Sequence, residues 1–312
     1  MLRAMGTQTS KAIVLTAFGP AGVLQWQDVE RPEPGAGEIR IRVRAAGVGP
    51  TDVAIRRGLL QQAFPLEPGA VLGFEAAGVV DALGASVAGV AVGDPVIALL
   101  QAHLGGYGEY AVTPVWSPKP EAVSWVDAAA IPASAEAAVR ALRELGVARG
   151  ETVLVLGAAG AVGIIATQLA VADGAAVVAA VAERDLATLR SLGATPVRYG
   201  DHLLADVRAT GARIDAVVDA AGKGGLAEAV ELAGGPARVL TLSDPGGPAL
   251  GVPISEPLPT LERGVLDRFA PLLAAGELAL RPRRALPVAE AAAAHEAIEA
   301  GTREKLVLVF EG

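Results

Sequence analysis

Residues 153–163 read Val-Leu-Val-Leu-Gly-Ala-Ala-Gly-Ala-Val-Gly, an apolar run of strand length that ends in a turn nearly free of side chains. Directly behind it, Ile164-Ile165-Ala166-Thr167-Gln168-Leu169-Ala170 has the composition of a helix. Strand, glycine turn and helix in that order are how a doubly wound sheet binds a dinucleotide. The first N–H groups of the helix and its dipole face the pyrophosphate, and a side chain in the turn would hold the phosphates away. The spacing is Ala158-x-Gly160-x-x-Gly163, with Ala where the usual fingerprint has its first Gly. In a chain rich in Ala and Gly such a pattern also arises by chance, so its weight comes from the strand and helix that flank it. The competing reading is a tight strand–helix turn with no ligand.

The rest of the chain divides by texture. Residues 11–16, 38–45, 71–80 and 94–100 read as short strands separated by turns that carry Gly and Pro. The second of them alternates Ile, Arg, Val and Arg, the period of a half-buried strand. From about Asp127, helical Ala/Leu/Arg segments alternate with the runs 153–156, 176–181, 216–219 and 238–242. That order implies a parallel sheet covered by helices. Helices are expected over 260–275 and 290–300, and a closing strand over 305–310. The last stretch has no new glycine fingerprint and is expected to fold back on the first domain.

Composition excludes several classes. The chain has 312 residues, enough for two domains, and its 52% hydrophobic and 19% charged content is not that of a disordered segment. A net charge of −8 without a Lys/Arg cluster argues against a nucleic-acid surface. With no Cys there is no disulfide, thiolate nucleophile or Cys-ligated zinc, and His103, His202 and His295 lie far apart in sequence. The polar start lacks a signal core. The apolar stretch 161–182 is interrupted by Gln168, Asp173 and Gly174, so it reads as helix, turn and strand rather than a membrane span. A cytoplasmic protein with no membrane and no nucleic-acid partner is expected.

Several strings in order resemble the medium-chain dehydrogenase/reductase superfamily, in its zinc-independent quinone oxidoreductase-like branch. They are Ala46-Gly-Val-Gly-Pro-Thr-Asp52 with Ile55-Arg-Arg-Gly58, Gly73-Phe-Glu-Ala-Ala-Gly-Val-Val80, Val92-Gly-Asp-Pro-Val96, Gly105-Gly-Tyr-Gly-Glu-Tyr-Ala111, the glycine turn, and His295-Glu-x-x-Glu299-x-Gly301. The resemblance runs from Lys11 to the strand at 305–308. It implies an α/β fold, a Rossmann doubly wound parallel sheet plus a β-rich GroES-like domain. The expected division is a substrate domain of 1–125 and 261–312 and a cofactor domain of 126–260. It implies NAD(P)H-dependent two-electron reduction, and the expected reaction is hydride transfer to a quinone or an α,β-unsaturated carbonyl. The zinc-dependent branch has a Cys near Gly49 and a His where Phe74 stands, so no metal site is expected. Without a Lewis acid an alkoxide has no stabiliser. A conjugated acceptor needs less, because its charge spreads over an oxygen.

The cofactor contacts implied are the turn Gly157, Ala158, Ala159, Gly160, Ala161, Val162 and Gly163, then Arg184 and Tyr199, and Ala221, Gly222, Leu242 and Ser243. In NAD enzymes an acidic residue about 20 positions beyond the glycines binds the ribose hydroxyls. Counting from Gly160 reaches Ala180, within an apolar run, and Arg184 follows. A guanidinium suits a 2′-phosphate, so NADPH is expected over NADH. Glu183 is the competing feature, as a displaced ribose ligand, and Arg184 also reads as an ordinary solvated residue.

Near the nicotinamide the candidates are Gly49, Asp52 and Glu136. Gly49 stands where the branch often has Asn, and Glu136 where it usually has Thr. Glu136 reads either as a proton donor or as a surface residue on a helix. Asp52 reads as a residue of the active-site floor or as a turn or N-cap aspartate. Tyr107 reads as a cleft residue or as packing beside Gly105-Gly106. Relatives often carry an extra strand after the position of Asp244 that pairs across a homodimer, and 248–259 has room for only part of it. Two other readings stay open: an enoyl-thioester reductase, and a non-catalytic NADPH-binding protein.

Overall fold

The computed structural model describes residues 8–256 and 263–311. They form two compact units. The first takes in the described residues up to Ala133, from 263 to Glu277 and from Pro282 on; the second takes in those from Ser134 to 256 and Leu278–Arg281.

The first unit is β-rich. Its strands β1 (Thr9–Leu15) and β2 (Leu24–Glu30) form an antiparallel pair. Then come β3 (Ile39–Val48), the short helix α1 (Pro50–Arg56), β4 (Glu75–Leu83), β5 (Pro95–Leu99), β6 (Tyr110–Thr113), β7 (Val115–Pro118) and α2 (Trp125–Ala129). In β3, Ile39, Ile41 and Val43 are buried and Arg42 is exposed, as alternation requires. Arg40 departs from the pattern. It is buried because its guanidinium pairs with Asp81 and Glu33. The strand expected from 71 begins only at Glu75, since Gly73 turns the backbone at φ +106°.

In the second unit α3 (Pro132–Glu144), which begins just before the unit boundary, leads into β8 (Thr152–Leu156), α4 (Ala161–Ala172), β9 (Ala176–Val181), α5 (Leu186–Ser191), β10 (Thr195–Arg198), α6 (Leu203–Ala209), β11 (Ala216–Asp219), α7 (Leu226–Leu232) and β12 (Val239–Thr241). The five strands are parallel, in the order β10-β9-β8-β11-β12. Because successive side chains point to opposite faces, each strand feeds two cores. Val153, Val155, Val177, Ala179 and Leu240 pack on one face, and Leu154, Leu156, Val178, Ala180 and Val239 on the other. This double burial is why these runs look uniformly apolar rather than alternating. The stretch 161–182 divides into α4 and β9 around Asp173 and Gly174, and no helix among the described residues is long and apolar enough to cross a membrane. Past β12, Ile254 bridges Thr241 in parallel, so this segment returns along the edge of its own sheet.

The chain then re-enters the first unit with α8 (Phe269–Ala274), β13 (Arg283–Pro287), α9 (Ala291–Glu299) and β14 (Lys305–Val309). The larger sheet runs β13-β14-β3-β4-β5-β7, with β6 also on β3. The helix expected over 260–275 is shorter. Residues 260–262 lie outside the described residues, Arg263–Val265 form a single 3₁₀ turn, and α8 starts at Phe269. Gly264 disfavours helix, and Pro271 is tolerated only because it falls in the first turn of α8.

Candidate functional site

The strand order of the second unit reverses between β8 and β11, and the turns after these two strands touch. A Cβ on Gly157 would stand 2.8 Å from Ala221 Cβ, and one on Gly222 would run into Ser243 Oγ. Thus Gly157, Ala221, Gly222, Leu242 and Ser243, far apart in sequence, stand together at the carboxyl ends of β8, β11 and β12. Buried Asp219 fixes them. Its Oδ1 accepts from the N–H groups of Ala221 and Gly222 at 2.9 and 3.0 Å, and its Oδ2 accepts from Thr241 Oγ1 at 2.8 Å. Thr241 Oγ1 in turn accepts from the N–H groups of Ser243 and Asp244.

Within the glycine turn, Gly157 and Ala158 donate to the Ala180 carbonyl and Gly160 donates to Gly157. Gly160 is the N-cap of α4, so the N–H groups of Ala161, Val162 and Gly163 open the helix without intrahelical acceptors. The three glycines differ. Gly157 has φ +72°. A Cβ on Gly163 would run into Gly157 O and stand 2.8 Å from Ala158 Cα. Gly160 has φ −72°, open to any residue, and a Cβ there would meet only Gly157 O, at 3.1 Å. Backbone strain therefore gives no account of Gly160, and the only neighbour a Cβ would press on is Gly157 O.

Beyond β9, which ends at Val181 without a carboxylate, Glu183–Asp185 form a 3₁₀ turn. Arg184 on it is exposed, with Nε 4.0 Å from Asp185. Tyr199 follows β10, and its hydroxyl donates to the Gly224 carbonyl at 2.6 Å. Burial, with the nearby carboxylates, pushes that phenol up to about 12. Its one donor is thus committed to the loop after β11.

Glu136 is not a surface residue. It is 7% exposed on α3 and binds Arg140 Nε at 2.7 Å, one helical turn on. Arg140 also donates to Ser255, which donates to Glu144 at 2.9 Å. A carboxylate held this way ties α3 to the segment after β12.

In the first unit Asp52 is the third residue of α1, not its cap. Its Oδ2 accepts from Gly49 N–H at 2.8 Å and its Oδ1 from Gly73 N–H at 3.1 Å. Burial pushes its carboxyl up to about 7 against these bonds and the Lys305 charge, with the Glu75 charge adding to the rise. Gly49 is half-buried, and a Cβ there would stand 3.5 Å from Asp52 Oδ2. Phe74 packs edge-on against Phe64. Beside it, buried Glu75 accepts from Lys305 Nζ at 2.5 Å and from Ala133 N–H at 2.9 Å. Tyr107 is fully buried, as the packing reading expects, and its hydroxyl lies 3.1 Å from His295 Nε2.

The sequence reading missed three groups: Asp219 with Thr241, Glu75 with Lys305, and His295 with Arg56. Only the first left a local signal, an Asp closing an otherwise apolar strand just before Ala-Ala-Gly. Among the described residues no group of three or more His, Asp or Glu could hold a metal ion.

Residues 35–120 match the alcohol dehydrogenase GroES-like domain, and residues 192–308 match the zinc-binding dehydrogenase model. The chain is 36% identical over 177 residues to the quinone oxidoreductase of Rattus norvegicus, covering 55% of this chain and 52% of that one. It is 32% identical over 244 residues to the 2-methylene-furan-3-one reductase of Solanum lycopersicum, covering 74% and 62%. It thus spans less than two thirds of the length of either relative. The solved quinone oxidoreductase from Coxiella burnetii superposes with a TM-score of 0.85 at 27% identity, over 97% of this chain and 100% of that one.

Proposed function

The chain belongs to the medium-chain dehydrogenase/reductase superfamily, quinone oxidoreductase-like, and from that premise we propose that it is an NADPH-dependent reductase of quinones or α,β-unsaturated carbonyls that works without a metal. The observation that carries the reading is Gly160. Its φ needs no glycine, and it opens α4 where the first three N–H groups have no intrahelical acceptor. A pyrophosphate fits that cradle. Gly157, Ala221, Gly222 and Ser243 would line it, and Asp219 and Thr241 hold those turns before any ligand arrives. Arg184 supplies the charge for a 2′-phosphate. Tyr199 braces the neighbouring loop through Gly224.

When bound, reduced nicotinamide supplies a hydride. The protein holds the acceptor, excludes water and delivers a proton. A zinc ion does not fit the residues present. Gly49 brings no ligand atom, Phe74 brings a phenyl ring, and the chain has no Cys. Acceptors that spread negative charge by conjugation suit such a site best, and the reductase names of the rat and tomato relatives support that choice.

The test is NADPH consumption against quinones, enones, enoyl thioesters and aldehydes, with alcohol oxidation run in reverse, alongside binding of NADPH and NADH to the wild type and Arg184→Ala. The expected result is turnover of quinones or enones. NADPH should bind about 10- to 100-fold tighter than NADH, with most of that margin lost in Arg184→Ala. Efficient alcohol turnover would overturn the metal-free mechanism, and equal affinities would overturn the NADPH preference.

A further inference from the structure

We propose that Lys223 binds the pyrophosphate of the dinucleotide and supplies the positive charge that the glycine turn lacks. The inference rests on the cofactor reading above.

The turn 157–163 is made of Gly, Ala and Val, so it offers a pyrophosphate N–H groups and a helix dipole but no cation. The chain has four lysines, and three of them are committed elsewhere. Lys11 pairs with Asp28 at 3.1 Å, Lys119 donates to the carbonyls of Pro120 and Val123, and Lys305 pairs with Glu75. Lys223 is exposed and has no partner among the described residues. It lies in Gly222-Lys223-Gly224-Gly225, between β11 and α7, and is the one side chain of that loop. The three glycines have φ of +57°, +92° and +81°, a backbone path that other residues avoid.

The loop is anchored on both sides of the lysine. Before it, the Gly222 N–H donates to Asp219 Oδ1 at 3.0 Å, and a Cβ on Gly222 would run into Ser243 Oγ, beyond β12. After it, the Gly224 carbonyl accepts from the Tyr199 hydroxyl at 2.6 Å, and the Tyr199 N–H donates to the Val181 carbonyl at the end of β9. Lys223 is therefore strung between the end of β12 on one side and the ends of β9 and β10 on the other. The glycine turn leaves β8, which lies between β9 and β11 in the sheet. The two turns touch, since Ala221 Cα would stand 3.2 Å from a Cβ on Gly157. Lys223 is two residues past Ala221, at most about 7.6 Å by Cα spacing, and its ammonium sits on a flexible four-carbon stem. The nearest acids in the sequence do not claim it. Both oxygens of Asp219 serve Ala221, Gly222 and Thr241, and Asp244 Oδ1 accepts from the Gly246 N–H.

The two free-standing charges of the site thus divide the work. Arg184 follows the second strand of the sheet, where the ribose that carries a 2′-phosphate is recognised in this fold. Lys223 stands by the first turn, where the pyrophosphate meets the helix. A pyrophosphate is common to NADPH and NADH, so Lys223 adds affinity for both alike, while Arg184 sets the preference between them.

The test is direct titration of NADPH and NADH into the full-length wild type, Lys223→Met and Lys223→Arg, with thermal melts to confirm folding. Lys223→Met should raise both dissociation constants about 10- to 100-fold, the loss of one charge-assisted contact, and leave their ratio as in the wild type. Its affinities should also depend less steeply on salt, and Lys223→Arg should restore most of the binding. Acylation by an amine-reactive ester, read by mass spectrometry, gives a second readout. Lys223 should be modified in the free protein and protected by either dinucleotide. Unchanged dissociation constants in folded Lys223→Met would overturn the assignment. A loss confined to NADPH would also overturn it, by putting Lys223 on the 2′-phosphate. Failure of the wild type to bind either dinucleotide would overturn the cofactor reading itself, and the assignment with it.

Discussion

Three glycines in one turn meet three different demands, and substitution separates them. Gly157 and Gly163 are required by the fold, the first by its φ of +72° and the second by its contact with the turn behind it. Gly160 is required less strictly, since its φ is −72° and a Cβ there would only press on Gly157 O at 3.1 Å. Gly163→Ala is expected to destabilise the protein by about 1–3 kcal/mol through overpacking. Gly160→Ala should cost less than Gly163→Ala, about 0.5–1.5 kcal/mol, from the poorer N-cap and the approach to Gly157 O. Its NADPH Kd should rise at least about tenfold, because the methyl group takes ligand space. Thermal melts and cofactor titrations of both variants check this, and tight NADPH binding by a folded Gly160→Ala would show that the phosphates bind elsewhere. The glycine spacing was legible because its demand is local. The positions of Asp52, Tyr107 and His295 were not. Each looks ordinary in its own segment, and only the tertiary fold sets Asp52 on the Gly73 N–H and Tyr107 on His295.

Among elements, the turns after β11 and β12 depend on one buried pair. Thr241→Val keeps the shape of the side chain but removes a donor to Asp219 and an acceptor for the Ser243 and Asp244 N–H groups. It should cost about 1–3 kcal/mol, the penalty for leaving buried polar groups unpaired. It should also weaken NADPH binding by loosening Ser243. Denaturant melts with cofactor titration measure both, and unchanged affinity would mean the two turns hold their positions without Thr241. The same contrast decides which elements could be read in advance. β8, β9 and β11 announced themselves because burial on two faces demands continuous apolar residues. β2, β10 and β13 were missed because they carry exposed polar or Pro residues, as in Thr195-Pro-Val-Arg198 and Arg283-Arg-Ala-Leu-Pro287, and leave no hydrophobic period. Arg40 breaks the alternation of its strand, and the surface reading of Glu136 fails, because a charged side chain can be buried once it has a partner.

For the whole molecule, two compact units mean that a ligand of one need not stabilise the other equally. With NADPH at about 100 times its Kd, the unit that binds it gains about 2.7 kcal/mol. Hydrogen exchange should slow at the amides of 157–163, 219–224 and 241–244 and change least in β1 and β2. Uniform slowing of both units would mean that they unfold as one. The sheet of the first unit has a further consequence. Its central strand β3 pairs through Ala45–Val48 with Val309–Leu306 of β14, while every strand of the second unit is encoded in between. As the ribosome delivers the chain from its N-terminus, the five parallel strands are complete while β3, already paired with β4 on one side, still lacks its partner on the other along this stretch. Until β14 emerges, a buried run of Ala45, Ala46 and Val48 is an open edge that any other nascent strand could pair with. The nascent protein is therefore most exposed to mispairing in the interval between translation of the second unit and arrival of Lys305.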